Sequence, residues 1–146
     1  MVKCMPILNY TTGISVEKTV SEIQQLLHQL KVTGVFSEYK DGILESLSFR
    51  LNTEQGELDY KLAANVFGIH KTLVNAKVKK TLKTKEQAAR VGWRILKDWL
   101  KAQLAIIEAQ MMTTSQVFLP YAITASGKTI YDCFVDSSFP GLPDKE

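Results

Sequence analysis

Three stretches of the chain carry residue types that could do chemistry. In Asp59-Tyr60-Lys61 the two charged residues would share one face of a strand. A metal-dependent nuclease needs such groups: carboxylates hold the metal, and a lysine helps position the attacking water. The second carboxylate is the difficulty, because Asp41 is better explained by a turn and Glu38 is the other strand carboxylate nearby. Ser126-Gly127-Lys128-Thr129 has the ending of a phosphate-binding loop. The full pattern wants a glycine five positions before Gly127, where Ala122 stands. The backbone cradle is therefore unsupported, and Gly127 reads as a turn residue. No serine sits in the glycine pattern of a nucleophile elbow.

The third stretch is basic. Lys77, Lys79, Lys80, Lys83 and Lys85 are followed by Arg90, Arg94, Lys97 and Lys101. Between Ile69 and Lys101 the chain carries ten Lys/Arg against Glu86 and Asp98, a balance of +8, while the remainder carries −5. Such asymmetry can mark a polyanion-binding face, or it can be an ordinary solvated surface. On a helix, Arg90, Arg94, Lys97 and Lys101 fall within an arc about 60° wide. Trp93 borders that arc. It can be buried, meet an oligomer partner or stack on a base.

The element that must carry this stripe is a long helix from Lys85 to about Gln110. Thr84 is its N-cap, and Gln87 three residues on suits a capping box. Its apolar residues include Ala88, Ile95, Leu96, Trp99, Ala102, Ile106 and Ile107, widened by Trp93, Leu100 and Leu104. An ordinary surface helix needs an apolar stripe only a little over ~100° wide, so this one is expected to be covered on more than one side. Arg94 and Asp98, four apart, can pair on its surface.

The remaining elements follow from periodicity. Ser15 caps a helix to about Leu30, with Val16, Val20, Ile23, Leu27 and Leu30 on its apolar stripe; His28 lies at its boundary. Thr33–Lys40 and Ile43–Leu51 read as strands joined by the type I′ turn Asp41-Gly42. The second has Ile43, Leu47, Phe49 and Leu51 on one face, interrupted by Glu45. Leu58–Leu62 is a third strand. Asn65 caps a second helix that buries Val66, Ile69, Leu73 and Val74. Val117–Ile123, broken by Pro120, reads as an edge strand or extended arm, and Thr129–Val135 as a short helix or strand. The aromatic residues, Phe36 and Phe67 included, are assigned by default to the core. The expected class is α+β: a three-stranded antiparallel meander on helices, order αβββαα, with a C-terminal arm. One domain is expected over residues 1–136, with a loose tail at 137–146.

The 146 residues are 45% hydrophobic and 23% charged, which argues against wholesale disorder. No apolar run approaches the ~20 residues of a membrane span, and the start is a poor signal peptide. A cytoplasmic location is expected. Cys4 and Cys133 are too few for a zinc site and are expected as reduced thiols, with a disulfide joining the two ends as the alternative. No cofactor, metal or catalytic residue is assigned.

Gln87-Ala88-Ala89-Arg90-Val91-Gly92-Trp93-Arg94, Lys97-Asp98-Trp99, the run Ala102–Ala109, Val117-Phe118-Leu119-Pro120-Tyr121, Gly127–Tyr131 and Asn9-Tyr10-Thr11-Thr12 together resemble a family of small proteins carried by phages, prophages and other mobile elements. That family has no assigned activity. The resemblance implies a mobile-element context, in which nucleic-acid handling and interference with host defence are common roles. The order helix, meander, helix is also similar to double-stranded-RNA-binding domains, which read duplex shape through lysines at a helix start.

Three functions follow as expectations. The first is a non-catalytic nucleic-acid-binding protein with little sequence specificity. Its surface would be Lys77, Lys79, Lys80, Lys83, Lys85, Arg90, Arg94, Lys97 and Lys101, with Trp93 beside it. The second is a homo-oligomeric interaction protein that binds or blocks a host factor, suggested by the apolar helix and by Phe118–Tyr121. The third is the metal-dependent nuclease built on Asp59 and Lys61. No membrane partner is expected.

Overall fold

Local capping sets where the helices begin. The computed structural model describes residues 5–137; Cys4 and the tail from residue 138 lie outside them. α1 (Val16–His28) starts where Ser15 Oγ accepts the Lys18 amide at 3.1 Å, satisfying an orphan N–H of the first turn. α2 (Val66–Val74) starts in the same way at Asn65, and α3 (Lys85–Glu108) at Thr84. α3 ends without a glycine. Gln110 takes φ 60°, its amide donates to Ile107 O, and the Met111 amide donates to Ile106 O. This is a Schellman closure with a glutamine in the left-handed position.

Between α1 and α2 lies an antiparallel sheet of β1 (Gly34–Lys40), β2 (Ile43–Thr53) and β3 (Gly56–Ala63), in that order. Asp41 and Gly42 both have positive φ, as the expected hairpin turn requires. The register shifts between Glu38 and Tyr39, so that Glu38 faces Ser46 while Tyr39 faces Leu44. Glu45 is the extra residue of a β-bulge. This is the physical reason for the interrupted alternation: beyond the bulge Leu47, Phe49 and Leu51 are buried, and before it Leu44 is buried in place of Ile43.

The class is α+β, and the helices crowd one face of the meander. α3 packs against α1 and α2 and touches β2. Its residues Trp93 and Leu100 are fully buried, together with Ile23 and Leu27 of α1 and Leu47, Phe49 and Tyr60 of the sheet. Phe49, Tyr60 and Phe118 form an aromatic cluster with centroids 5.5–5.9 Å apart. Trp99 stacks edge-on to both Phe118 and Tyr121. A second, smaller cluster of Leu73, Ala88 and Val91 fills the seam between α2 and α3. Gly92 lies in that seam, where an added Cβ would come within 2.7 Å of Ile69 Cδ1.

Two expectations about elements are corrected. The stretch Val117–Ile123 is not a strand: α4 (Thr114–Phe118) leads into a single 3-10 turn, Leu119–Tyr121. A capping box between Thr113 and Gln116 nucleates α4, and Pro120 sits at the start of the 3-10 turn, where a missing N–H costs nothing. The edge pairing survives only as isolated bridges, Tyr60 to Ala122 and Ile123 to Thr129. Val74 is exposed rather than buried. Thr129 caps α5 (Ile130–Asp136), resolving that segment as a helix.

The nearly all-round apolar character of α3 is accounted for within the chain, by α1, α2, the sheet and Phe118 of α4. In the Phe118–Tyr121 segment the two aromatic rings pack on Trp99. Of the two features that suggested an oligomer, the apolar side of α3 is packed within the chain, while in the Phe118–Tyr121 segment Phe118 is buried and Leu119 is exposed.

Trp93 joins α3 to the sheet. Its indole Nε1 donates to the Leu44 carbonyl at 3.0 Å, beside the bulge. Trp93→Phe is expected to keep most of the buried ring but strand that carbonyl, costing about 1–3 kcal/mol. Trp93→Ala is expected to cost about 3–5 kcal/mol. Urea unfolding of the two variants checks this; a Trp93→Phe protein as stable as wild type would refute the role of the hydrogen bond.

Candidate nucleic-acid interface

The basic residues do not form one continuous face. Loop residues 75–84 carry the first group. The loop is tied back onto α2, with His70 Nε2 at 3.1 Å from the Lys83 carbonyl and Lys83 Nζ donating to Val74 O at 3.2 Å. The second contact puts a cation on a carbonyl at the C-terminal end of α2, where the helix dipole favours it. Lys83 is therefore half-buried and serves the loop's own geometry. Lys77, Lys79, Lys80 and Lys85 are exposed, and so is Lys71 on the last turn of α2. None of these five is in an ion pair among the described residues. From Leu62 to Lys85 the chain contains six lysines and no carboxylate.

The helical stripe is mostly covered. Arg94 faces α1, where its guanidinium meets Glu22 and Thr19; its side chain is only 13% exposed. It does not pair with Asp98, which instead accepts a hydrogen bond from Asn9 Nδ2 at 2.8 Å. Arg90 Nε donates to Gln87 Oε1 at 2.9 Å. Arg90 also borders a groove of about 430 Å³ between α1, the β1–β2 hairpin and the start of α3, shared with Glu17 and Glu86. Lys97 is largely covered, 3.9 Å from Asp98. Lys101 is exposed, but about 24 Å along α3 from Lys85. Trp93, expected beside the stripe as a stacking residue, has no exposed surface. The structure thus brings together Lys77, Lys79, Lys80 and Lys85, and places Arg90, Arg94, Lys97 and Trp93 in packed positions.

Gln87 supplies only half of the expected capping box. Its amide N–H bonds Thr84 Oγ1, but its side chain turns inward. The buried Nε2 donates to the Tyr10 and Thr12 carbonyls, both at 3.0 Å, and so clamps the N-terminal segment onto α3.

Two residues join the surface that were not expected on it. Lys71 belongs with the loop lysines, and Phe67 is not in the core: it is 79% exposed. The signal was present in the spacing. Val66, Ile69 and Leu73 take the inward side of α2, so Phe67, Lys71 and Val74 at i, i+4 and i+7 take the outward side.

The open face of the sheet has the opposite electrostatic character, because its cations Arg50 and Lys61 are paired with carboxylates. Arg50 grips Asp59 with two hydrogen bonds of 2.7 and 3.1 Å. Lys61 lies 3.6 Å from Glu38, which also accepts from Ser46. The hydrogen bond from Arg50 holds the Asp59 carboxyl below its ordinary pKa, against a smaller desolvation effect. Among the described residues no group of three or more His, Cys, Asp or Glu comes together as a metal site. In Ser126-Gly127-Lys128-Thr129, Gly127 makes the expected turn at φ 82°, Lys128 pairs with Asp136 at 2.8 Å and Thr129 caps α5. No helix among the described residues is long and apolar enough to cross a membrane.

Compared with protein-family models, curated proteins and solved structures, the chain matches none.

Two outcomes follow from this charge layout. Arg94→Glu would face Glu22 in the α1–α3 seam. It is expected to destabilise the fold by a few kcal/mol, whereas Lys79→Glu/Lys80→Glu is expected to stay within about 0.5 kcal/mol of wild type. Equal unfolding midpoints for both variants would refute the division into packed and free cations. Asp59 has a folded-state pKa below its unfolded value of about 3.9, so its contribution is present above that pH and is lost as pH falls through the folded value. The thermal-midpoint gap between wild type and Asp59→Asn should therefore narrow as pH is lowered from 7 into the acid range below the unfolded value. A gap independent of pH would show that the Arg50 pairing does not stabilise the sheet.

Proposed function

We propose that this chain is a non-catalytic nucleic-acid-binding protein that contacts the phosphate backbone through the α2–α3 loop. One observation carries the reading: Lys71, Lys77, Lys79, Lys80 and Lys85 are exposed and outside any ion pair among the described residues, in a stretch without a carboxylate. The cations on the sheet face, by contrast, are neutralised by Asp59 and Glu38. Unpaired lysines on the last turn of α2, the loop after it and the start of α3 attract a polyanion and release its condensed counterions. Lysines act as point charges without the rigid fork that reads guanine edges, so binding of low sequence specificity follows. The resemblance to mobile-element proteins fits this role.

A second reading, a homo-oligomeric interaction protein, is favoured by α5, whose Tyr131 and Val135 are 58% and 60% exposed. Light scattering at micromolar concentration addresses it, and a strict monomer would remove it.

The main reading is tested by fluorescence anisotropy with labelled nucleic acid across a salt series. The expected result is binding whose logarithm falls linearly with log salt. The triple variant Lys77→Glu/Lys79→Glu/Lys80→Glu should bind at least tenfold more weakly. Its salt slope should flatten by about 0.9 for each B-form duplex phosphate that it no longer neutralises. Absence of binding at low salt, or binding indifferent to the triple reversal, would overturn the reading.

A further inference from the structure

We infer that the polymer bound at the lysine surface is single-stranded, and that Phe67 is the residue on which one of its bases stacks. The inference rests on the reading of that surface as a nucleic-acid interface and says which polymer it takes. Phe67 is the second residue of α2 and is 79% exposed. A phenylalanine left in water forgoes the large gain that burying its ring would bring. Nothing in the packing of α2 forces it outward in compensation, since Val66, Ile69 and Leu73 supply the inward contacts.

Its surroundings separate it from the other exposed aromatics. Phe36 lies on the sheet face that carries Glu38, Glu57 and Asp59. Tyr39 lies in Glu38-Tyr39-Lys40-Asp41, while Tyr131 and Phe134 lie in α5 with Asp132 and Asp136. Phe67 lies in the stretch from Leu62 to Lys85, which has no carboxylate at all. Lys71 is one helical turn away on the same side, and Val74 lies beyond it. This stripe is about 10 Å long and runs toward the loop with Lys77, Lys79 and Lys80.

An aromatic face flanked by mobile cations suits a base and its phosphates. In a duplex the base faces are already occupied by neighbouring bases, and a helix reading the major groove needs polar side chains that reach base edges. The outward side of α2 offers Phe67, Lys71 and Val74, while the Thr72 hydroxyl is spent on Gly68 O at 2.9 Å. Stacking without edge readout fits an unpaired strand of any sequence. An anionic lipid surface would also attract lysines, but an interfacial helix needs a broad apolar face, and this nine-residue helix exposes two large apolar residues, Phe67 and Val74.

The test uses the full chain with a labelled oligothymidylate, a blunt duplex of equal length and vesicles containing phosphatidylserine. Wild type is compared with Phe67→Ala, Phe67→Trp and Lys79→Glu/Lys80→Glu, each checked for an unchanged unfolding midpoint. The expected results are tighter binding to the single strand and a loss of about 5- to 150-fold for it in Phe67→Ala. Duplex binding should stay unchanged in that variant. In Phe67→Trp, affinity should be retained and the new indole emission quenched by the oligonucleotide. Single-strand affinity unchanged in Phe67→Ala would overturn the stacking role, yet leave the lysine reading standing if Lys79→Glu/Lys80→Glu weakens binding. Preference for the duplex would overturn the single-strand assignment alone. No binding to either polymer, or binding only to the vesicles, would overturn both.

Discussion

The structure depends on the burial of Trp93 against the bulged start of β2. A tryptophan in mid-helix with no exposed surface requires cover on its own side of α3, and its indole N–H requires an acceptor in that cover. Leu44 O provides one, where the bulge at Glu45 swaps Leu44 into the core. Once α3 is fixed to the sheet there, α1 and α2 have to fill its two flanks. The cations on those flanks are then drawn into seams. Arg94 sits at 13% side-chain exposure with Glu22 meeting it across the seam with α1; a buried cation without a partner would be costly to desolvate. The same constraint that makes α3 the centre of the fold thus removes most of α3 from any interface.

This explains which parts were legible in the sequence. Capping residues and turn residues act over three or four positions, so Ser15, Asn65, Thr84 and Asp41-Gly42 could be read directly and lie where expected. The three strands were also legible, since alternation is local, although β2 and β3 run up to two residues further into their shared turn than the alternation reaches. The bulge was visible only as a fault in the pattern at Glu45, because its cause is a register shift set by another strand. Long-range choices were not legible. Gln87 has the right spacing for a capping box, but two carbonyls from residues 10 and 12 compete for its amide and win. Arg94 has Asp98 four residues away, yet Glu22, distant in sequence, takes it. A helical wheel assigns angles but cannot say which angles face water when three neighbours crowd the helix.

α2 shows the converse. It packs on α3 along one side, so the wheel alone suffices: Val66, Ile69 and Leu73 face in, while Phe67, Lys71 and Val74 face out. The seam is close because Gly92 has no side chain at the approach of Ile69. The ten-residue loop after α2 is turned back onto the helix, with Lys83 spanning from the loop to the Val74 carbonyl. One lysine of the cluster is therefore spent on holding the others in place.

Pairing of charges, more than their number, separates the two faces that could meet a partner. The sheet face holds its cations in close contact with Asp59 and Glu38 and adds Glu57, so it offers a polyanion no net attraction. The lysine loop has no internal counter-charge, and at physiological ionic strength its field extends over roughly a Debye length of 8 Å. Five exposed ammonium groups within residues 71–85, with no carboxylate in that stretch, repel one another, which makes a bound anion a stabilising partner by linkage. An exposed aromatic ring in the same acid-free stretch has no comparable role in stability. On that contrast, the two liabilities of this surface, unpaired charge and unburied ring, are relieved together by a ligand that brings phosphates and a planar base.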